Sequence, residues 1–277
     1  MPFNRLDLLP NYDRNEASKS RKRWNENEDL RDKILALVRK GGGEDFLQWD
    51  FENGNLGFME DQWDLAGITL FNEEIEFPEG DNFENIDFAH SEFWHCKFYG
   101  ATFPQTHFPF ARFYNVEFKN CLFGFAHFYG AKLEKCRFVS CDFVEENGFS
   151  NCELIDTKFI DCFFNKRKFT DCRFDENVSF SWRRDGRVPR NTNSDFKETL
   201  EDTAVSGIYR CIKDGYLSGE VYHLVRKYLF LQQQAFTRYN RVGFDRARAL
   251  CWEIIAGYGV KPIRVKSLST ATPFRFQ

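Results

Sequence analysis

Phe or Leu occupies every fifth position from Phe83 to Phe143 without exception. A period of five fits neither the 3.6-residue turn of an α-helix nor the two-residue alternation of a β-strand. Such a chain must therefore fold as a stack of repeats. One extra residue intervenes near Gly148, and the period then resumes. The repeat centres are Phe83, Phe88, Phe93, Phe98, Phe103, Phe108, Phe113, Phe118, Phe123, Phe128, Leu133, Phe138, Phe143, Phe149, Leu154, Phe159, Phe164, Phe169 and Phe174.

A second column of small residues accompanies these centres. From Phe88 onward, the residue two before each centre is Ser, Cys, Ala, Thr or Val in most repeats, and Ile86, Asn147 and Arg167 are the exceptions. Side chains two apart in an extended segment point to the same side. Each repeat therefore directs one large and one small side chain inward, and its mostly polar remaining residues face solvent.

This order of a small residue, a polar residue, Phe or Leu and two mostly polar residues resembles the pentapeptide-repeat family. Residues 131–135 (Ala-Lys-Leu-Glu-Lys) follow it closely, and the resemblance covers about residues 81–175. It implies an all-β solenoid, a right-handed quadrilateral β-helix with four repeats per coil. Nineteen repeats then make about five coils, in a rod on the order of 25 Å long at ~4.8 Å per strand. Leu65, Leu70 and Ile75 keep the same spacing and predict a further coil.

The flanking segments predict caps, because a solenoid exposes unpaired strand edges at both ends. An apolar stripe from Glu28 to Lys40 predicts an N-terminal helix, and three helices are expected near 194–214, 219–239 and 244–256. The predicted organisation is a disordered N-terminus at 1–24, an N-terminal cap at 25–63, the β-helix at 64–180, a linker at 181–193, a C-terminal α-helical module at 194–265 and a tail at 266–277.

Composition indicates a soluble cytoplasmic protein. Seven of the nine Cys residues lie in the small column, where Cys packs as a small hydrophobe, so reduced structural thiols are expected. The polar N-terminus does not resemble a signal peptide. No apolar run approaches the roughly 18 residues that a membrane span needs. We therefore predict no transmembrane span in this chain.

A second resemblance concerns the C-terminal part. Residues 252–265 resemble the junction in bacterial pentapeptide-repeat proteins that are fused to a two-transmembrane ion channel. Residues 182–277 contain 17 basic and 9 acidic side chains, an excess that suits a segment beside a cytoplasmic leaflet. A simpler explanation is that segments of different composition each expose their charged side chains to water. Three explanations stay open: a chain truncated before a channel, a soluble relative that lost its pore, or a linker shared without a channel.

Outward aromatic residues form the candidate interaction surface. Residues twenty apart should stack on neighbouring coils, which places Trp94 beside Tyr114. Exposed apolar patches often mark contacts, whereas aromatic ladders can also simply stabilise a sheet. The candidate residues are Trp94, Tyr99, Phe110, Tyr114, Phe125 and Tyr129.

The sequence contains no motif for catalysis. Phosphate-binding loops, nucleophile motifs and HExxH are absent. Asp87, His107 and His127 are spaced by twenty and should form an outward column, but such an open site lacks a fourth ligand, so a surface ladder is the simpler interpretation. We predict no catalytic residues, no metal and no cofactor.

The predicted function is a non-enzymatic scaffold for protein–protein interaction, as either the soluble part or a soluble relative of a channel protein. The partner is an unknown protein, and the C-terminal helices offer a homodimer contact.

The alternative is a DNA-mimicking inhibitor of DNA gyrase or topoisomerase, or a protector against their poisons. That function needs a strongly negative rod. The repeat tract has 14 acidic and 11 basic side chains, so it is only weakly negative, and no direct nucleic-acid binding is expected.

Overall fold

The computed structural model describes residues 14–26, 28–39, 58–59, 62–76, 83, 86–144, 148–165, 168–183 and 202–240. The helices in these ranges are α1 (Arg14–Glu26), α2 (Glu28–Arg39), α3 (Asp202–Ser218) and α4 (Tyr222–Asn240). The strands are β1 (Phe58–Met59), β2 (Gln62–Asp64), β3 (Thr69–Phe71), β4 (Glu74–Glu76), β5 (Ile86–Asp87), β6 (Glu92–Trp94), β7 (Lys97–Tyr99), β8 (Thr102–Pro104), β9 (Arg112–Tyr114), β10 (Glu117–Lys119), β11 (Leu122–Gly124), β12 (His127–Tyr129), β13 (Lys132–Glu134), β14 (Arg137–Val139), β15 (Asp142–Val144), β16 (Gly148–Ser150), β17 (Glu153–Ile155), β18 (Lys158–Phe164), β19 (Phe169–Thr170), β20 (Arg173–Phe174) and β21 (Ser179–Arg183).

The strands wind into a parallel β-solenoid with four faces, as the resemblance to pentapeptide-repeat proteins implies. The first face comprises β2, β5, β12, β16 and β19, and the second comprises β3, β6, β9, β13, β17 and β20. The third contains β4, β7, β10, β14 and the start of β18, and the fourth contains β8, β11, β15 and the end of β18. β1 pairs antiparallel with β2, and the other strands pair in parallel with the strand one coil away, so that Phe98, Phe118 and Phe138 are register partners.

Two single-residue insertions shift the register without breaking the solenoid. His127 pairs with Gly148, one residue further than the usual separation, which confirms the predicted extra residue near Gly148. A second shift places Phe159 opposite Phe180 in β21. The solenoid therefore extends to Arg183, three residues into the predicted linker, because Phe180 stacks on Phe159 at 5.0 Å between ring centroids.

The predicted inward columns form the core. Phe118 stacks on Phe98 at 5.0 Å and on Phe138 at 4.9 Å, and it meets Phe123 of its own coil edge-to-face. All nineteen predicted centres are buried, as are Leu65, Leu70 and Ile75 of the preceding coil. Each buried ring contributes roughly 2–3 kcal/mol by burial and ~0.5–1.5 kcal/mol by ring pairing, before the chain entropy opposes it.

The small column satisfies backbone acceptors as well as filling space. Cys136 Sγ donates to the Phe113 carbonyl oxygen at 3.5 Å, and Thr157 Oγ1 donates to the Leu133 carbonyl oxygen at 3.1 Å. Burial raises the pKa of Cys136 to about 12, which keeps the donor protonated. The seven column cysteines are buried free thiols, as predicted.

The four corners of each coil use a left-handed backbone that sequence reasoning missed. The second residue after a centre has a positive φ at every described corner from Gly67 to Asp171, for example 58° at Asn72 and 70° at Gly100, and Glu176 after Phe174 is the exception. Asn, Asp, His and Gly tolerate this region best, and their frequency at this position was the available signal. Phe110 and Phe125, both at φ 56°, are unusual occupants.

The prediction that residues 1–24 are disordered is wrong from Arg14 onward, where α1 begins. The buried indole of Trp24 donates to the Ala66 carbonyl oxygen at 2.9 Å. A Cβ at Gly67 would lie 2.7 Å from the Arg21 backbone nitrogen, so α1 approaches this corner closely. The polar sequence of α1 does not indicate a helix, because the helix is stabilised by these contacts to the first coil. The predicted N-terminal helix matches α2, where Ile34 is fully buried.

The C-terminal helices α3 and α4 cover the other end of the solenoid. A Cβ at Gly215 would lie 2.6 Å from ring carbons of Phe174, and the Tyr216 hydroxyl donates to the Val178 carbonyl oxygen. The first C-terminal helix continues beyond its predicted end at residue 214, to Ser218. The helix predicted at 244–256 lies outside the described residues. Among the helices that are described, none is long and apolar enough to span a membrane.

Substituting Phe118 with Ala tests the core. Its ring is 1% exposed and stacks on both sides, so truncation leaves a cavity that the neighbouring coils cannot fill. We expect the free energy of unfolding to fall by about 3–5 kcal/mol, measured by urea denaturation. The control is Phe71→Ala, since Phe71 is 60% exposed and should change stability by less than about 0.5 kcal/mol. A loss below ~1 kcal/mol for Phe118→Ala would contradict the assignment of the core.

Substituting Gly215 with Ala tests the C-terminal cap. The added methyl group overlaps the Phe174 ring, so we expect a loss of about 1–3 kcal/mol and faster proteolysis of α3 and α4. Ser218→Ala, at an exposed position of the same helix, is the matched control. Equal stability of the two variants would show that α3 does not pack closely on Phe174.

Candidate interaction surface

Three aromatic side chains align on the outer surface of the second face. Phe71, Trp94 and Tyr114 are register partners on β3, β6 and β9, one on each successive coil. Each directly follows an inward centre and therefore points outward. Phe71 is 60% exposed, while Trp94 and Tyr114 are partly buried. We call these three residues the aromatic column.

The aromatic column is a contiguous surface. The Trp94 and Tyr114 ring centroids are 5.2 Å apart, as the spacing of twenty predicts. The His95 ring, at the adjacent corner, meets Phe71 edge-to-face at 5.9 Å and Tyr114 at 5.4 Å. Asn115 Nδ2 lies 2.8 Å from His95 Nδ1, so the amide can donate to an unprotonated ring nitrogen. His95 thus joins the three rings into one patch.

Charged groups flank this patch. The Glu92 carboxylate lies 2.8 Å from Arg21 and 3.8 Å from Arg112, and it accepts from Trp94 Nε1 at 3.3 Å. Lys135 Nζ donates to the Tyr114 hydroxyl at 3.0 Å and lies 5.0 Å from the ring centroid. The bond to Tyr114 raises the pKa of Lys135, so this group is a cation at neutral pH.

The remaining candidate aromatic residues are divided among other faces. Tyr99 lies on the third face under the Lys119 ammonium group, 5.9 Å from its ring centroid. Phe110, at the corner between the first and second faces, stacks on His90 at 5.3 Å and meets Tyr129 at 5.2 Å. Phe125 lies at the corner between the fourth and first faces and is 44% exposed. The six candidates therefore do not form a single surface.

Sequence reasoning missed two members of the patch, Phe71 and His95. Leu70 keeps the spacing of the centres, which places Phe71 in the outward position that Trp94 occupies one coil later. The three additional residues between these coils concealed their alignment, because Leu70 pairs with Phe93 rather than with a residue twenty positions away. His95 occupies a corner, and the corner column was not recognised.

Opposite charges lie on neighbouring coils elsewhere on the second and third faces. On the third face Lys97 lies 3.2 Å from Glu74, and Arg137 lies 3.4 Å from Glu117. On the second face Lys132 lies 3.5 Å from Glu153. Such exposed pairs contribute little stability, but they neutralise the surface locally. These two faces therefore present no continuous negative stripe.

The search for similar proteins found structures only. No family model and no curated protein matches the chain. A pentapeptide repeat protein (Rfr23) from the cyanobacterium Cyanothece 51142 is 9% identical, with a TM-score of 0.28 over 48% of this chain and 97% of that one. Full-length QnrB1, a plasmid-mediated fluoroquinolone resistance protein, is 16% identical, with a TM-score of 0.20 over 41% of this chain and 78% of that one.

The strand register of the chain itself decides the fold. Five-residue repeats with Phe or Leu centres occupy four faces per coil, and successive coils pair in register. The chain folds as a pentapeptide-repeat solenoid.

On the first face of this pentapeptide-repeat solenoid, Asp87, His107 and His127 form the predicted column. The His107 and His127 ring centroids lie 5.1 Å apart. Burial raises the pKa of Asp87 to about 6, opposed by the Ala89 N–H that donates to its carboxylate. Burial and the nearby His127 lower the pKa of His107 to about 4. Within the described ranges, no group of three His, Cys, Asp or Glu side chains could hold a metal ion.

These two pKa shifts have opposite effects on stability. Between about pH 4 and 6, folded Asp87 retains a proton that the unfolded chain releases, so its contribution to stability falls as the pH rises. Folded His107 binds less proton than unfolded His between about pH 4 and 6.5, so its contribution rises with pH. In the native solenoid the two effects largely cancel.

Single substitutions should expose each effect. We expect His107→Gln to lose roughly 2 kcal/mol of stability as the pH rises from about 4 to 6, because the shifted pKa of Asp87 is then no longer opposed by that of His107. Asp87→Asn should instead gain a similar amount as the pH rises to about 6.5. Urea denaturation at several pH values measures both slopes. Parallel profiles for the two variants would contradict the assigned shifts.

Proposed function

We propose that this solenoid is a non-enzymatic scaffold that binds a partner protein through the aromatic column. The observation that supports the proposal is the alignment of Phe71, Trp94 and Tyr114 on consecutive coils, outside the core. Trp and Tyr are enriched at protein interfaces, where an aromatic body and a polar tip are both used. The core needs none of the three, since the inward centres fill it.

The DNA-mimic alternative is less well supported by the surface. A protein that replaces duplex DNA must present a dense negative stripe to a site built for phosphates. The alternating pairs on the second and third faces place Arg and Lys where such a stripe would run. Inhibition of gyrase supercoiling by the purified chain would nevertheless restore this alternative.

Two finer predictions concern the C-terminal part. Leu217, Tyr222 and Phe236 of α3 and α4 are 49%, 61% and 43% exposed, which is compatible with the predicted homodimer contact. Sedimentation measurements over a range of concentrations would test dimerisation. The resemblance to a channel junction lies in residues 252–265, outside the described ranges, so the link to a channel stays a prediction.

Site-specific photocrosslinking tests the proposed function. Asn115 and Asn120 are both exposed corner residues with positive φ, but Asn115 adjoins the aromatic column and Asn120 lies one corner further along the same coil. A benzophenone amino acid at position 115 should crosslink one reproducible partner in cells, whereas the same group at position 120 should not.

The crosslink from position 115 should also depend on the aromatic side chains. Adding Trp94→Ala should abolish it, while adding Tyr99→Ala, on the third face, should leave it unchanged. Equal capture from positions 115 and 120, or capture that survives Trp94→Ala, would show that the partner does not bind through the column.

A further inference from the structure

We propose that the aromatic column binds a proline-rich segment in the polyproline II conformation that also carries acidic residues. This inference rests on the proposed function and specifies the chemistry of the partner. Three features of the surface support it: the axial spacing of the rings, the paired strands from which they project, and the cations beside Tyr114.

The axial spacing of the rings matches a polyproline II helix. Successive coils are separated by the ~4.8 Å spacing of paired strands, so Phe71 and Tyr114 lie about 9.6 Å apart along the solenoid axis. A polyproline II helix repeats every three residues, or about 9.3 Å. One edge of such a segment, laid parallel to the axis, can therefore contact Phe71 and Tyr114 with equivalent prolines and pass over Trp94 between them.

The shape of the second face disfavours the other common peptide conformations. A helical partner needs an apolar groove, whereas β3, β6 and β9 are neighbouring strands of one sheet, from which the aromatic side chains project. Strand addition needs an unpaired sheet edge. α1 contacts the first coil, and α3 packs on Phe174 at the other end, so both ends have helical covers. A polyproline II segment instead docks on a surface lined by aromatic rings, which the column supplies.

The charges beside Tyr114 favour an acidic partner. Arg21, at 2.8 Å, is the nearer partner of Glu92, while Arg112 lies 3.8 Å from that carboxylate with its side chain 63% exposed. Lys135 adds a second exposed cation. Glu134, the next residue of this column, offsets one of these two charges, and Asp156, which also acts on Lys135, lies 3.6 Å from the ammonium group of Lys158. The surface around Tyr114 is therefore net positive.

The polar groups of the patch also suit this class of ligand. A polyproline II backbone has no internal hydrogen bonds, so its carbonyl oxygens are available to donors on a partner. The Tyr114 hydroxyl accepts from Lys135 and can donate its own proton to such a carbonyl. The ring supplies apolar contact and the hydroxyl fixes the direction of the peptide.

Fluorescence anisotropy with three labelled peptides tests the inference. The probe is a twelve-residue peptide of four Glu-Pro-Pro triplets, in which the acids follow one edge of the polyproline II helix and the prolines the other two. A peptide of Glu-Ala-Ala triplets keeps the charge and length but loses the proline rings. A peptide of Lys-Pro-Pro triplets keeps the conformation and reverses the charge.

We expect the intact chain to bind the Glu-Pro-Pro peptide at least about tenfold more tightly than either control peptide, a difference of about 1.4 kcal/mol. Trp94→Ala and Phe71→Ser should each weaken binding by about fivefold or more. Because Phe71 is exposed, the Phe71→Ser variant should fold normally, so its loss of affinity would not result from misfolding. Tyr99→Ala, an aromatic substitution on the third face, should bind as the unmodified chain does.

Three results would overturn the inference: no binding of the Glu-Pro-Pro peptide at millimolar concentration, equal binding of the Glu-Ala-Ala peptide, or equal weakening by Tyr99→Ala and Trp94→Ala. The crosslinking experiment separates this failure from that of the proposed function. If position 115 still captures a partner that requires Trp94, the column binds a protein of another class. If it captures none, the scaffold function through this surface fails as well.

Discussion

The structure depends on the stacking of Phe rings between coils. Register-partner rings lie nearly parallel, with interplanar angles from 3° for Phe159 and Phe180 to 17° for Phe128 and Phe149. Offset parallel rings are favourable only within a narrow range of positions, so each coil is held in register by the coil before it. The two insertions are absorbed between stacked rings, and the stacking continues beyond both of them.

Stacking of the core also organises the exterior. Because inward residues align from coil to coil, outward residues align as well, and the surface consists of axial columns rather than a mosaic of unrelated side chains. The column of Glu74, Lys97, Glu117 and Arg137 alternates in charge, whereas that of Phe71, Trp94 and Tyr114 is aromatic. A partner that runs parallel to the axis therefore meets the side chains of one column at a constant spacing.

The sequence predicts the inward half of this protein better than the outward half. The core centres and the pairing of Trp94 with Tyr114 follow from spacing alone, because a single period determines both. Phe71 was missed because the preceding coil is three residues longer. Helix α1 was missed because it is stabilised by tertiary contacts, such as that between Trp24 and Ala66, which its own polar sequence does not reveal. Local patterns cannot report interactions between distant segments.

The corner residues show how the solenoid accommodates an unfavourable side chain. A left-handed backbone costs a residue other than Gly about 1–2 kcal/mol. Phe110 offsets this cost by stacking on His90, and the next coil has Gly130 at the same corner, where a Cβ would lie 2.7 Å from the Phe110 ring. The large ring is thus tolerated because its axial neighbours complement it. The effect of a surface substitution in this fold therefore depends on its axial column. It has to be judged against the residues at the same position one coil above and one coil below.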